Sequence, residues 1–373
     1  MIRLLLEPLD VWLFRDGRPF TAGADYHARS LFPPSPRTLY GALRTKMLFD
    51  AVERGEGSLT DAAFVERVVG APKDFERLTL RGPLLAKREP DGQIVRYYPA
   101  PANLVQVGAA WQLLAPEPEA ARYLGLISDD DLDLPWVVSR ERPVGIQGGW
   151  LAERDFFATL QGEPRPATPA DALYTIETRS GIGMERSGAD AGPRVTREGR
   201  LFAISFVRPK PDVGLCLDVE GLNGLGAVGV LGLGGEGRAA RYEVRPTKEP
   251  DRREARERVV AAGRLTVVLA TPALFGNGWL PTWVDGATRA TTETVRGLRL
   301  VAAAVGRPEP IGGFDVRAGR PRDISRAVPA GSVYWFEETE TGAAGRAFDT
   351  LDGRAIADEG PMIGFGLCYV GVW

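Results

Sequence analysis

The stretch Val228-Gly229-Val230-Leu231-Gly232-Leu233-Gly234-Gly235-Glu236-Gly237-Arg238, continuing as Ala239-Ala240-Arg241-Tyr242-Glu243-Val244-Arg245-Pro246, decides how this chain is read. Gly232, Gly234 and Gly237 have the G-x-G-x-x-G spacing of a dinucleotide-binding loop. That loop holds a pyrophosphate only where a helix begins directly after the glycines, because the helix N-terminus supplies the N–H donors and the dipole. Here the residues after Gly237 alternate like a strand and stop at a proline. The stretch therefore reads as strand, glycine loop, strand, and it argues against a doubly wound parallel sheet.

Working outward, further strands are expected at Ile2 to Leu6, Leu201 to Val207, Gly214 to Val219, Leu265 to Ala270, Leu298 to Val305, Ser332 to Glu337 and Leu367 to Trp373. Val11 to Phe14 reads as a second extended piece, and a hairpin is expected around Asp91-Gly92, between Thr79 to Leu85 and Ile94 to Tyr98. The clearest helix start is Ser35-Pro36: serine caps, proline suits the first helical position, and Leu39, Leu43 and Met47 follow at four-residue spacing. Gly55 is a natural stop, and Arg252 to Ala262 forms a second helix. Gly162 to Pro169 is a loop. Many strands with few helices predict an α+β fold with antiparallel sheets and inserted loops.

Composition narrows the chemistry. The 373 residues carry 46 basic and 49 acidic side chains, a net charge of −3, so the chain is not a uniformly basic nucleic-acid coat. Five of the basic residues are lysines and 41 are arginines. A single histidine, His27, and two cysteines, Cys216 and Cys368, do not assemble a zinc site or a disulfide framework. The acidic run Asp129, Asp130, Asp131 and Asp133 lacks the spacing of a calcium loop and reads as a solvated turn. No metal and no cofactor is expected. The apolar start breaks after Leu4-Leu5-Leu6, too short for a signal peptide, and no apolar run approaches a membrane span, so the expected location is cytoplasmic.

The arginines are not spread evenly. Segments 15–46, 179–210 and 289–326 each carry a net charge of +4 inside an acidic chain, with Tyr26, Phe32, Tyr40, Phe202 and Phe314 nearby. Phosphate-clamping arginines interleaved with stacking rings suit single-stranded RNA, because the guanidinium fork meets phosphate oxygens bidentately. Solvated salt pairs are the alternative for any one segment. The glycine loop brings bare backbone close to a ligand, with Arg238 and Arg241 adding charge, or is simply a tight turn. Gly364-Phe365-Gly366 offers a ring for base stacking, though a core position is the stronger reading of Phe365. His27 has no identifiable acid or second base for catalysis.

Phe14-Arg15-Asp16-Gly17-Arg18-Pro19-Phe20 and Leu31-Phe32-Pro33-Pro34-Ser35-Pro36-Arg37-Thr38-Leu39-Tyr40-Gly41-Ala42-Leu43-Arg44 resemble the N-terminal signature of Cmr subunit three, a RAMP-superfamily component of type III-B CRISPR effector complexes. The likeness continues at Tyr97 to Leu104, Ile182 to Arg186, Gly199 to Phe202 and Leu233 to Arg238, with Asn103 and Met184 as departures. The resemblance implies two ferredoxin-like, RRM-related units, here divided as residues 1–200 and 201–373, the second carrying the glycine-rich loops. It also implies a non-catalytic subunit that binds the 5′ tag of CRISPR RNA and links the large polymerase/cyclase-like subunit to the backbone filament in antiviral defence. The RNA-contacting positions it suggests, together with the basic segments, are His27 and Arg29, then Ser35, Arg37, Tyr40 and Arg44, then Arg179 and Arg186. Gly234, Gly235, Gly237 and Arg238 in the glycine loop, and Gly364 and Gly366 near the end, complete the set. Two rivals remain: a metal-independent RAMP endoribonuclease with His27 as general base, and a nucleotide-dependent enzyme built on the glycine loop.

Overall fold

The computed structural model describes residues 1–15, 27–70, 78–119, 132–146, 148–186, 194–222, 224–292, 295–315 and 319–373, with side chains for all but 183–186, 194–200 and 314–315. Two antiparallel sheets dominate. The first has seven strands, in the order Trp150–Ala152, Ile94–Pro99, Thr79–Arg88, Val213–Glu220, Ile2–Pro8, Ala239–Pro246 and Val228–Gly232. The second has five: Leu298–Ala304, Val333–Glu338, Arg264–Leu269, Leu367–Gly371 and Arg354–Ala355. The α+β expectation of antiparallel sheets with few helices agrees with this architecture.

Ile2–Pro8 lies inside the first sheet, and its Leu4, Leu5 and Leu6 are all buried. Consecutive leucines rather than alternation mark a strand covered on both faces. Leu4 and Leu6 join the core that includes Leu39, Leu43 and Met47 of helix Pro36–Glu53, while Leu5 packs with Ala86 and Cys216 on the other face. The helix starts where the sequence places it: the Ser35 hydroxyl accepts from the Arg37 N–H at 3.3 Å, and Pro36 opens the first turn. Gly55, at φ +76°, follows just beyond its end.

On the second face of the central strand a charged cluster is buried with the leucine. Arg3 donates to both oxygens of Asp218, at 2.6 and 2.9 Å, and Arg96 reaches Asp218 at 3.4 Å and also pairs with Glu153. Arg96 and Asp218 are only 3% and 5% exposed, so each carries a charge that depends on the others for its solvation.

The first sheet draws its strands from both sides of residue 200. Val213–Glu220 and Ala239–Pro246 flank Ile2–Pro8 on either side, so the first sheet extends to Pro246 and the second begins at Arg264. A central strand needs partners on both edges, and here the chain supplies them more than 200 positions later. Among the described residues, three helices lie outside the sequence expectation: Ala62–Val69, Glu153–Leu160 and Ala343–Leu351. The last begins at Gly342 with φ +81° and buries Ala343, Ala344 and Ala347 completely, so close packing of small residues overrides a weak local pattern. The loop expected over Gly162 to Pro169 is there. Among the described residues no helix is long and apolar enough to cross a membrane.

A separate sheet is built on a hairpin of Tyr174–Arg186 and Arg194–Pro209, 13 and 16 residues long. The short strand His27–Ala28 lies parallel to its second arm at Ala203 and Ile204.

Candidate nucleic-acid interface

The glycine loop is a turn between two strands, as the sequence required. Gly234 and Gly237 sit at φ +98° and +65°. A Cβ on Gly234 would come within 2.9 Å of the Leu13 carbonyl, which also accepts a 2.8 Å bond from the Gly235 N–H. Gly234 is thus required both by its dihedral and by the close approach. The extended segment around Trp12 is held on its other side by the hairpin, through reciprocal Trp12 and Val207 backbone bonds of 2.9 and 2.8 Å. One short segment therefore clamps the glycine loop to the base of the hairpin.

This clamp brings Arg238 to the hairpin. Strand alternation and the opposition of Glu177 to Phe206 put Glu177, Arg179, Phe206 and Arg208 on one face. The buried Phe206 ring has two guanidinium groups over it, Arg179 at 4.9 Å and Arg238 at 4.8 Å from its centroid. All three arginines converge on Asp10: Arg208 at 3.1 Å, Arg238 at 3.2 Å and Arg179 at 3.4 Å. Arg179 and Arg208 also share Glu177, at 2.6 and 2.5 Å. Against desolvation, which pushes it up, hydrogen bonds from Arg208 and Arg179 hold the Asp10 carboxyl below its ordinary value. The same two arginines lower Glu177. Three cations face two anions, so the cluster keeps a net charge of +1. Exposed arginines that retain a net positive field beside a backbone loop suit phosphate oxygens.

His27 lies on the opposite face of the hairpin. Its Nε2 shares a 2.6 Å hydrogen bond with the Ser205 hydroxyl, which alternation directs away from Phe206. Ser30 fixes the same corner, donating to the Ser205 carbonyl at 2.7 Å and accepting from the Phe14 N–H. Arg29 is exposed. His27 and the arginine cluster are therefore brought to one hairpin but not to one pocket.

A second group gathers near the chain's end. Ser35 caps its helix, and Arg37 pairs with Glu359 at 2.8 Å and lies 5.7 Å from the Phe365 ring. Burial lowers the Arg37 pKa, with Glu359 opposing that shift. Phe365 is fully buried, so the core reading of that ring holds. Gly364 is needed because a Cβ would lie 2.3 Å from the Gly82 carbonyl, and a Cβ on Gly366 would meet the Ala357 nitrogen at 2.6 Å. These two glycines serve close packing. Tyr40 is buried, and Arg44 folds back to its hydroxyl at 3.1 Å and to the Gly70 carbonyl at 3.2 Å. The side chain of Arg186, and the expected features at Tyr26, Phe314 and Asp129 to Asp131, lie outside the described residues.

Asp10, Glu177, Phe206 and Arg208 were not among the candidate residues. Period-two spacing of Glu177 with Arg179, and of Phe206 with Arg208, was the available signal. Nothing local points to Asp10. Between the sheets lies a cleft of about 650 Å³, walled by Pro33, Pro34, Pro83, Pro101, Trp150 and Tyr174 among others, so the proline pair before the first helix lines a surface between the two sheets.

The chain matches the family model of a CRISPR-associated protein, Cas_Cmr3, over residues 4–373. It is similar to a chain in a cryo-EM structure of the type III-B Cmr-beta complex bound to cognate target RNA and AMPPnP, with 16% identity, 89% of this chain and 86% of that chain covered, and a TM-score of 0.46. A second such structure, bound to cognate target RNA, gives 16% identity, the same coverage and 0.45. A chain of the Csm3-Csm4 subcomplex in the type III-A CRISPR-Cas interference complex is 11% identical over 91% of this chain and 94% of that one, at 0.36. No curated protein matches the sequence.

Proposed function

This chain belongs to the Cas_Cmr3 family of CRISPR-associated proteins, and on that premise we propose that it is a non-catalytic RNA-binding subunit of a type III-B CRISPR effector complex. In this reading it binds the 5′ tag of CRISPR RNA and joins the large polymerase/cyclase-like subunit to the backbone filament. The observation that carries RNA binding is the convergence of Arg179, Arg208 and Arg238 on Asp10, with Arg179 and Arg238 over Phe206, beside the exposed turn of the glycine loop. Guanidinium groups supply sequence-tolerant phosphate contacts, and loop backbone approaches the strand closely.

The ferredoxin-like reading draws on strand order. Numbering Ile2–Pro8, Thr79–Arg88, Val213–Glu220 and Ala239–Pro246 from one to four, the first sheet runs two, three, one, four. Arg264–Leu269, Leu298–Ala304, Val333–Glu338 and Leu367–Gly371 run in the same order in the second. This is the antiparallel order of a βαββαβ unit. Each sheet keeps one of the two expected crossover helices, Pro36–Glu53 in the first and Ala343–Leu351 in the second.

The non-catalytic reading is supported by the placement of His27, whose Nε2 is engaged with Ser205 on the face away from the arginines. Purified protein that cuts repeat RNA without metal, and loses that cutting in His27→Ala, would sink it. RNA binding is tested by crosslinking CRISPR RNA in the assembled complex and mapping the peptides. Crosslinks are expected within 174–182, 201–209 and 232–238, and their absence from this subunit would refute the proposal. In the same complex Arg238→Ala should make the plot of log affinity against log salt shallower by about 0.7, the share of one phosphate on a single strand.

A further inference from the structure

Within the arginine cluster one acidic residue has a role that its neighbours define. Asp10 follows the end of the central strand and presents a carboxylate that is 45% exposed to three guanidinium groups at once. We propose that the Asp10 carboxylate occupies the position of an RNA phosphate, and that a backbone phosphodiester replaces it when single-stranded RNA binds. The inference rests on the RNA-binding reading above and gives it a specific subsite.

The geometry separates the two acids of the cluster. Glu177 lies on the same hairpin face as Arg179 and Arg208, and its bonds to them are the shorter ones, 2.6 and 2.5 Å. Asp10 comes from a different part of the chain, and its three bonds are longer, 3.1 to 3.4 Å. Glu177 therefore keeps two guanidinium groups aligned whether or not Asp10 stays. The Phe206 ring, 4.8 Å from the Arg238 guanidinium, holds the third in place as well. With Asp10 withdrawn, three preorganised forks point at one vacated anion position. The Arg238 Nε–H is buried and has no hydrogen-bond partner among the described residues, so this side chain still has an unused donor.

A carboxylate and a phosphodiester both present two acceptor oxygens with one negative charge, which is what a guanidinium fork reads. Exposed ion pairs of this kind are weak, so the exchange is readily reversible. Asp10 then tunes the site: it screens the arginines from small anions and lowers RNA affinity by competing for the same donors.

The test uses the full chain and a fluorescently labelled oligouridylate, read by anisotropy. Asp10→Asn keeps the shape and removes the charge, and should tighten binding by about three- to tenfold. Glu163→Gln, which removes a charge paired with Arg165 and outside the cluster, controls for net charge and should leave affinity unchanged. In Asp10→Asn combined with Arg238→Ala the gain should vanish. Equal gains from Asp10→Asn and Glu163→Gln, or unchanged or weaker binding in Asp10→Asn while the wild type binds, would overturn the exchange and leave RNA binding standing. No binding by any of these proteins, alone or in the assembled complex, would overturn both. A gain for inorganic phosphate without one for the oligonucleotide would assign the subsite to free phosphate and defeat the proposal.

Discussion

Two ion networks in this molecule use the same residue types for opposite ends. In the first sheet Arg3, Arg96, Asp218 and Glu153 hold each other beneath the strands, with Arg96 and Asp218 almost fully removed from water. At the base of the hairpin Arg179, Arg208, Arg238, Asp10 and Glu177 hold each other at the surface. Contact distances overlap between the two, so distance does not distinguish them. Solvent does: a buried ion that loses its partner is left uncompensated, whereas an exposed one returns to water. The first network is locked by that penalty, and the second is free to exchange partners.

The comparison is tested most severely by Asp218→Ala, which strands the guanidinium groups of Arg3 and Arg96 under the sheet. Unfolding stability, measured by denaturant titration, should fall by about 3–5 kcal/mol. A loss below about 1 kcal/mol would mean that the buried cluster is as well solvated as the surface one. Next is the clamp that aligns the surface network: Gly234→Ala should cost about 1–3 kcal/mol from its dihedral and the approach to Leu13. Gly237→Ala, which has open space, should cost about 1 kcal/mol or a little more. Arg208→Ala should leave the thermal midpoint within about 2 °C while weakening RNA binding. A large drop in the midpoint would turn the surface network into a structural one.

The smallest effect concerns Cys216, which lies on the same face as the buried network. Desolvation pushes its thiol pKa up to about 12. The neutral thiol is therefore the form the fold favours. Its contribution is complete below the ordinary thiol range, near pH 8.5, and is lost as pH rises through that range towards 12. Thiol reagents at neutral pH should label the folded protein at neither cysteine, since Cys368 is buried too and raised by the same cause. Rapid labelling of the native state would place solvent beside the buried ions.

Where local chemistry decides structure, the sequence was legible. Ser35-Pro36 set the helix start, and the alternation after Gly237 called for a strand where a dinucleotide loop needs a helix; the structure has both. Arg179 and Arg238 were named as RNA-facing residues, and the structure brings both to Phe206. Asp10 was not legible, because it meets Arg179, Arg208 and Arg238 across 169, 198 and 228 positions of chain. The strand partners of Ile2–Pro8 were not legible for the same reason, since they are fixed by three-dimensional packing rather than by composition. Tyr40, Gly364 and Gly366 show the converse: residue types that suit RNA are used here to fill the interior or let backbones touch.

The placement of Ile2–Pro8 at the heart of a sheet completed by Ala239–Pro246 also governs how the protein is made. At synthesis rates of about 5–20 residues per second, Leu4-Leu5-Leu6 must wait roughly 12 to 50 seconds for their last strand partner to emerge from the ribosome. During that interval Ile2–Pro8 is an apolar segment with an unpaired edge, so the nascent chain, rather than the folded protein, is the stage more exposed to aggregation.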